Sequence, residues 1–238
     1  MPKIRKIRKA LLGQITKKAF WNTYDHLGRL LLMNFLAVIL SLTLVGIPLA
    51  AIGLYASARK IANYEDVEMK DFWQHWSNYW KAGVLLLLIL IIAFVILMAN
   101  LKFYLDLLEN KGPSGAVGIV LSLIFGLMVW FFLFFCMVAL YVYPVLIATA
   151  GSVKTTLQNS FFLMMDNLKA SIYLFVNSLI WLALGFFSGG LIILCLSFSV
   201  IAVISSTVVR ELLKQYQESE PDEEEEVRGF SDLIKPWG

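Results

Sequence analysis

The amino-acid sequence predicts an all-α integral membrane protein, and two observations carry this prediction. Residues 112–153 contain no Asp, Glu, Lys or Arg, and residues 170–209 contain none either. The hydrocarbon core of a bilayer cannot solvate an ionised side chain, so uncharged runs of this length are typical of membrane-spanning helices. Composition agrees, because 59% of the 238 residues are hydrophobic and only 16% are charged.

Five apolar runs are long enough to be predicted as spans. They lie near residues 27–45, 82–100, 116–143, 170–187 and 191–209. A sixth apolar segment, residues 49–60, is shorter than the roughly 20 residues that a crossing requires. We interpret it either as an interfacial helix or as the return leg of a tight hairpin. The sequence therefore predicts a membrane domain over residues 27–210 with five to six transmembrane helices.

The N-terminal segment, residues 1–26, is predicted to form a basic amphipathic helix at the membrane interface. Its apolar residues recur at helical spacing: Ile4, Ile7, Leu11 and Ile15. Lys and Arg fill most other faces, which suits an anionic leaflet with Trp21 at the headgroup level. A topology signal, a partner-docking helix and an organellar targeting peptide are the alternatives.

An aromatic stripe marks the polar segment of residues 59–81. Its members fall on one face of a helix: Phe72, Trp73, Trp76, Tyr79 and Trp80. We interpret the stripe as an interfacial anchor that leads into the next span. A protein contact is the alternative, because Trp and Tyr are frequent anchors at interfaces. Trp73, Trp76 and Trp80 are therefore candidates for membrane or partner contact.

The C-terminal tail, residues 211–238, combines an acidic run with an apolar end. The acidic residues 218–226 cannot bury a core, so we expect a disordered spacer there. Apolar side chains return in the last residues of the tail: Phe230, Leu233, Ile234 and Trp237. This cluster is predicted either to dock on a partner or to fold back onto the protein's own membrane face.

The order of features repeats weakly in the two halves of the membrane domain. In each half a span is followed by a proline break, at Pro48 or Pro144, then by a polar surface helix and the next span. The same order in both halves predicts two weak parallel repeats, with both surface helices on one side of the membrane.

The sequence contains no motif that indicates a catalytic, cofactor or metal site. A Walker A loop, a dinucleotide-binding glycine motif and a His-Glu-x-x-His motif are all missing from it. Asn34 and Asn177 lie inside predicted spans, and we interpret both as helix-packing groups, because an amide in lipid needs a hydrogen-bond partner. We therefore expect no enzyme activity, no cofactor, no metal and no nucleic-acid partner.

The chain resembles a known family in its apolar and aromatic segments. The resemblance is carried by Gly46-Ile47-Pro48, by a small-residue helix ending in Arg59-Lys60, and by Asp71-Phe72-Trp73. These features are similar to the YesL-like family, known as domain of unknown function 624. Residues 141–175 resemble a later segment of the same family, so the likeness extends over roughly residues 20–210. The resemblance implies an accessory role beside carbohydrate ABC importers.

Two functions from different classes fit these features. The first is a non-catalytic accessory or scaffold subunit of a larger membrane complex, with an ABC transporter as a candidate partner and anionic lipid under the N-terminal helix. The second is a permease-type subunit of an ATP-driven transporter that works with a separate ATPase. A polar path between the halves favours the transporter. Tightly packed or outwardly grooved spans favour the scaffold.

The positive-inside rule places the basic N-terminus in the cytoplasm of a multi-pass plasma-membrane protein. With five spans, the acidic tail would lie outside together with Arg59, Lys60, Lys154 and Lys169. If residues 49–60 return across the membrane, both termini and all these cations are cytoplasmic. We favour the second arrangement because it satisfies the charge rule better.

Overall fold

The computed structural model describes residues 9–111 and 115–216, and every regular element within these residues is helical. The helices are α1 (Lys9–Asp25), α2 (Leu27–Ser41), α3 (Gly46–Ala62), α4 (Met69–Gln74), α5 (Trp76–Lys111), α6 (Ala116–Thr149), α7 (Val153–Asp166), α8 (Leu168–Phe187) and α9 (Phe198–Tyr216). A π-helical turn, Ile193–Ser197, precedes α9.

By length and composition, four helical segments of the described residues can cross a membrane, and α2 is a shorter apolar helix. The four are Trp76–Glu109, Ala116–Thr149, Leu168–Phe187 and Ile193–Tyr216. The prediction of an all-α membrane protein is thereby confirmed.

The first predicted span, residues 27–45, is shorter than expected, because α2 ends at Ser41 and a turn follows. The amide of Gly46 closes this turn by donating to the Thr43 carbonyl over 3.0 Å. A side chain at position 46 would overlap the carbonyl oxygen of Leu40, so the sharp reversal requires glycine. Helix α3 then runs back along α2. This arrangement corresponds to the second interpretation of residues 49–60, the return leg of a tight hairpin. With 15 and 17 residues, the two helices are about 22 and 26 Å long, less than the roughly 30 Å of a bilayer core.

Helix α3 is largely buried, and it packs against α2, α5, α6 and α9. Small residues on its surface allow this close packing. At Gly53, an added Cβ would lie 2.7 Å from the carbonyl oxygen of Phe72, so the short helix α4 rests directly on α3. On α6, the ring of Tyr143 stacks on that of Tyr55, with centroids 6.1 Å apart.

Helices α5 and α6 form a long antiparallel hairpin. Their register is marked by the hydroxyl of Tyr143, which donates to the Gly83 carbonyl over 3.1 Å, and by the rings of Phe94 and Phe132, 6.0 Å apart. Pro144 does not break α6, which continues to Thr149. Proline is tolerated inside transmembrane helices, because neighbouring groups can satisfy the carbonyl that it leaves without a partner.

One end of the bundle, which we call the basic end, collects the polar termini of several helices. The ammonium of Lys18 on α1 lies 3.3 Å from a carboxylate oxygen of Glu211 on α9. The guanidinium of Arg59 at the end of α3 donates to the carbonyl of Ile147 at the end of α6. Surface helices α4 and α7 follow α3 and α6 and therefore both lie at this end, as the repeated order of features predicts.

Candidate functional site

A cavity of about 360 Å³ opens at the basic end between α3, α6 and α9. We call it the basic pocket. It is lined by Arg59, Asn63, Pro144, Ala148, Ser206, Val209, Arg210, Leu213 and Lys214. Its walls therefore combine three cationic side chains with an apolar surface from α6 and α9.

Helix termini bring these residues together. Arg59 lies in the last turn of α3, and its hydrogen bond to Ile147 holds it against the last turn of α6. The final carbonyls of a helix lack partners within the helix and carry partial negative charge, which favours a cation there. Arg210 is the first charged residue after the apolar run of residues 170–209, and Lys214 follows one turn later on α9.

The electrostatic balance of the pocket is positive. None of the lining residues is acidic. Glu211 lies nearby, but its carboxylate pairs with two cations. One carboxylate oxygen lies 3.3 Å from the ammonium of Lys18 and 3.3 Å from the guanidinium of Arg210. The guanidinium of Arg210 also lies 5.1 Å from the ring centroid of Tyr64, a cation–π distance. The lining of the basic pocket therefore carries three cationic side chains and no carboxylate.

Ser206 is the unusual wall residue. It is 6% exposed, and its hydroxyl has no hydrogen-bond partner among the described residues. Its neighbours Ser205 and Thr207 both donate to carbonyls four residues earlier, over 2.7 and 2.8 Å. A buried hydroxyl that is left unsatisfied costs about 1–3 kcal/mol. Ser206 therefore places an unsatisfied, buried hydroxyl next to the basic pocket.

A second ionic contact at the basic end holds α4 to α3. The ammonium of Lys60 lies 2.7 Å from one carboxylate oxygen of Asp71, and the other oxygen accepts the Glu68 amide over 2.8 Å. Burial raises the pKa of the Asp71 carboxyl, but the Glu68 amide and the Lys60 charge together outweigh burial and hold the pKa below its ordinary value. Asp71 is therefore an ionised structural anchor.

A second cavity, of about 290 Å³, lies between α1, α8 and α9 and is mostly apolar. Thr16 donates to the Tyr173 hydroxyl at its wall over 2.9 Å. Asn177 also lines this cavity, and its amide donates to the Tyr173 carbonyl of its own helix over 2.9 Å.

Asn34, the other predicted packing residue, makes contacts between helices. It is fully buried, and its amide donates to the carbonyls of Ile193 and Leu194, both over 2.8 Å. Its oxygen accepts the Ser199 amide over 2.9 Å. The two asparagines therefore lie in different settings, one joining α2 to the π-helical turn and one facing a cavity.

The predicted aromatic contact residues are not equivalent in the structure. Trp21 is buried, and Trp76 is partly buried between two core clusters. Trp73 and Trp80 are 41% and 48% exposed, so their rings remain accessible. The aromatic stripe is interrupted, because α4 ends at Gln74 and α5 begins at Trp76. Four further candidates lie outside the described residues: Phe230, Leu233, Ile234 and Trp237.

Sequence reasoning did not find the basic pocket. Within the described residues no group of three or more His, Cys, Asp or Glu side chains could hold a metal ion. The pocket instead brings Arg59 of α3 close to Ser206 and Lys214 of α9, which lie far from Arg59 in the chain. The relevant signal in the sequence is the placement of cations at the ends of apolar runs, and this signal predicts orientation and not a cavity.

Comparison with known proteins gives one family match. No curated protein matches the chain, and no solved structure matches it either. Residues 30–101 match the family model described as "Protein of unknown function, DUF624". These residues include Asn34, Arg59 and Asp71, whereas the later segment of residues 141–175 lies beyond the match. The match confirms the YesL-like resemblance over residues 30–101, and the resemblance of the later segment stays a prediction from the sequence.

Proposed function

We propose that this chain is a non-catalytic accessory or scaffold subunit that binds the transmembrane helices of a larger plasma-membrane complex. The α5–α6 hairpin provides the main support for the proposal. With 36 and 34 residues, these helices are about 54 and 51 Å long, well beyond the roughly 30 Å of a bilayer core. A link to carbohydrate uptake is proposed from the family resemblance alone.

Most of the hairpin stands away from the rest of the bundle. In the most apolar window of each helix, 11% of α5 and 0% of α6 is buried, compared with 67% for the segment containing α9. The buried residues of α6 lie almost entirely between Met137 and Ile147. The far half of the hairpin therefore exposes its apolar side chains outward.

The single observation that carries the proposal is a mismatch at the far end of this hairpin. The end of α5 carries Lys102, Asp106 and Glu109, whereas the beginning of α6, which lies beside it, has no charged residue. Val117 and Leu123 on α6 are 69% and 68% exposed. If lipid surrounded this end of the hairpin, the charges of α5 would lie in an apolar medium. If water surrounded it, the apolar side chains of α6 would be exposed to water. A protein partner can satisfy both, because it can present polar and apolar groups side by side.

Photocrosslinking in native membranes tests this proposal. A photoreactive phenylalanine analogue replaces Val120 or Leu123 on α6, and the same analogue at Ile180 on α8, which is 50% exposed, is the matched control. We expect the same membrane protein to be captured from both α6 positions and not from Ile180. Its copurification with the full chain should be lost in Leu123→Lys. Equal capture at Ile180, or only lipid adducts on α6, would contradict the proposal.

A second candidate, a permease-type subunit driven by a separate ATPase, is supported by the placement of α4 and α7. Both surface helices pack at the basic end, where a soluble motor could contact them. The crosslinking experiment separates the two candidates if the analogue is also placed at Phe161, an exposed residue of α7. Capture of an ATPase at Phe161 and ATP-dependent uptake in proteoliposomes would favour the permease.

The C-terminal tail offers a separate test of the docking prediction. Its apolar cluster lies outside the described residues, so its role is still a prediction from the sequence. Pull-down in mild detergent with the full chain, and with a version truncated after Gln217, measures its contribution. Loss of the crosslinked partner on truncation would assign recognition to the tail, and retention would assign it to the membrane domain.

A further inference from the structure

We propose that the basic pocket binds a phosphate group, carried by an anionic phospholipid or by a small soluble phosphate. The inference is independent of the accessory role, because the pocket lies at the basic end and not on the exposed part of the α5–α6 hairpin. It depends on the charges of the pocket, its unsatisfied hydroxyl and its position at the end of the apolar runs.

The donors suit a phosphate. A guanidinium carries five N–H groups in a planar fork that matches the oxygens of a phosphate. Arg59 gives one hydrogen bond to the Ile147 carbonyl, which fixes the side chain at the pocket wall while other N–H groups of the fork can reach a ligand. Lys214 adds a flexible ammonium on α9, and Arg210 completes a three-cation wall.

The hydroxyl of Ser206 supplies an independent indication of a ligand. The residue lines the pocket and is more than nine-tenths buried, and its hydroxyl has no hydrogen-bond partner among the described residues. A phosphate oxygen accepts from hydroxyl, amide and guanidinium donors alike. The side-chain amide of Asn63, also in the wall, can provide a further donor.

The position of the pocket matches the depth of lipid headgroups. Arg59 and Arg210 are the first charged residues after the apolar stretches that lead to the basic end. Phosphates of anionic lipids lie at this boundary, and basic pockets between helices on the cytoplasmic side bind such headgroups. Pro144, Ala148, Val209 and Leu213 form an apolar wall that suits the glycerol and upper acyl carbons. A cavity of about 360 Å³ falls within the range of small-molecule sites.

The test compares lipid binding by variants of the full chain, purified in mild detergent and titrated with phosphatidylglycerol or phosphatidylcholine. Bound lipid is counted by native mass spectrometry, and thermal stability is recorded in parallel. Arg59→Gln with Lys214→Gln removes two charges from the pocket. The matched control, Lys154→Gln with Lys169→Gln, removes two charges from exposed positions at the same end. We expect the pocket variant to bind phosphatidylglycerol about tenfold more weakly, and the control to change less than about twofold.

Two further arms keep the outcome decisive. Because Arg59 also caps α6, its variant could unfold, so Ser206→Ala provides a milder change that we expect to weaken binding about threefold. Inorganic phosphate and glycerol 3-phosphate are added as competitors. Competition at millimolar concentrations would identify a soluble phosphate as the ligand, and its failure would identify the lipid. Equal binding of the two lipids, or equal losses in the pocket and control variants, would overturn the proposal.

Discussion

The side-chain oxygen of Asn34 on α2 accepts a hydrogen bond of 2.9 Å from the backbone amide of Ser199 on α9. The same side chain donates to the carbonyls of Ile193 and Leu194. These backbone groups belong to the π-helical turn and to the residues just after it, where the regular α-helical hydrogen-bond pattern is disturbed. One asparagine, itself fully buried, therefore satisfies three backbone groups of a neighbouring helical segment.

We expect Asn34→Ala to destabilise the protein by about 2 kcal/mol, since hydrogen bonds between transmembrane helices contribute about 0.6 kcal/mol each on average. Equilibrium unfolding in mixed detergent micelles measures the change. Asn177→Ala is the matched control, because its amide donates to a carbonyl of its own helix, and we expect a loss below about 0.6 kcal/mol. Equal losses in the two variants would show that Asn34 does not link the helices.

Gly185 sets how closely α8 approaches the π-helical turn. A Cβ at this position would overlap the side chain of Ile193 and lie 3.0 Å from the Ser197 hydroxyl. We expect Gly185→Ala to cost about 1–3 kcal/mol through overpacking, measured by thermal unfolding in detergent. Gly126→Ala is the control, because nothing lies within 4 Å of its Cβ position. A destabilised Gly126→Ala, or a neutral Gly185→Ala, would contradict this account.

The long membrane helices could be predicted because the relevant signal is local. A lipid-exposed helix must exclude charge along its whole length, so the uncharged residues 112–153 and 170–209 indicate α6, α8 and α9 directly. The end of α2 was not predictable in this way. Residues 42–45 form a turn, yet three of the four are apolar, and a turn of that composition cannot be told from a continuing helix. At Pro144 the error was the reverse. The sequence predicts a break there, but α6 continues through the proline.

The basic pocket could not be predicted, because its chemistry arises from packing between distant residues. Ser206 is one of several hydroxyls in α9, and only the structure separates it from Ser205, whose hydroxyl is satisfied within the helix. Arg59 reads in the sequence as a simple cation at the end of an apolar segment. In the structure, its hydrogen bond to the Ile147 carbonyl holds the Arg59 side chain against α6, where it lines the pocket. Pattern analysis identified the cations but not the cavity between them.

Asp71 should couple stability to acidic pH. Its pKa is held below the ordinary value of 3.8, so its contribution is fully present above that value and is lost as the pH falls through the lower pKa of the folded state. Asp71→Asn should cost about 2 kcal/mol at neutral pH, less than a fully buried pair, because the Lys60 side chain is 31% exposed. It should also flatten the loss of thermal stability below about pH 4.

The control for Asp71 is Lys70→Gln. Lys70 lies 2.8 Å from Glu68, but both side chains are largely exposed, and exposed pairs contribute little to stability. We expect no measurable change in unfolding temperature for this variant at neutral pH, and an acid-dependent loss like that of the parent protein. An acid profile of Asp71→Asn that matched the parent protein would assign the pH dependence to other carboxylates.

The ion pair between Lys18 and Glu211 predicts that the N-terminal helix and the end of α9 are on the same side of the membrane. Labelling with a membrane-impermeant maleimide tests this in sealed vesicles of both orientations, after Cys136→Ser and Cys195→Ser remove the native thiols. We expect Lys17→Cys and Gln215→Cys, both at exposed positions, to be labelled from the same side. Asp106→Cys, on the far end of α5, should be labelled only from the opposite side.

This labelling pattern distinguishes the two arrangements proposed for residues 49–60. The number of membrane crossings between Lys17 and Gln215 is even in one arrangement and odd in the other. If the α2–α3 hairpin returns to the side on which it began, an even number of crossings separates Lys17 from Gln215. If residues 27–45 crossed once and residues 49–60 stayed on the far surface, Lys17 and Gln215 would be labelled from opposite sides. Asp106 verifies that the vesicles are sealed, since labelling from both sides would indicate leakage. Opposite labelling of Lys17 and Gln215 in sealed vesicles would refute the hairpin and the contact between α1 and α9.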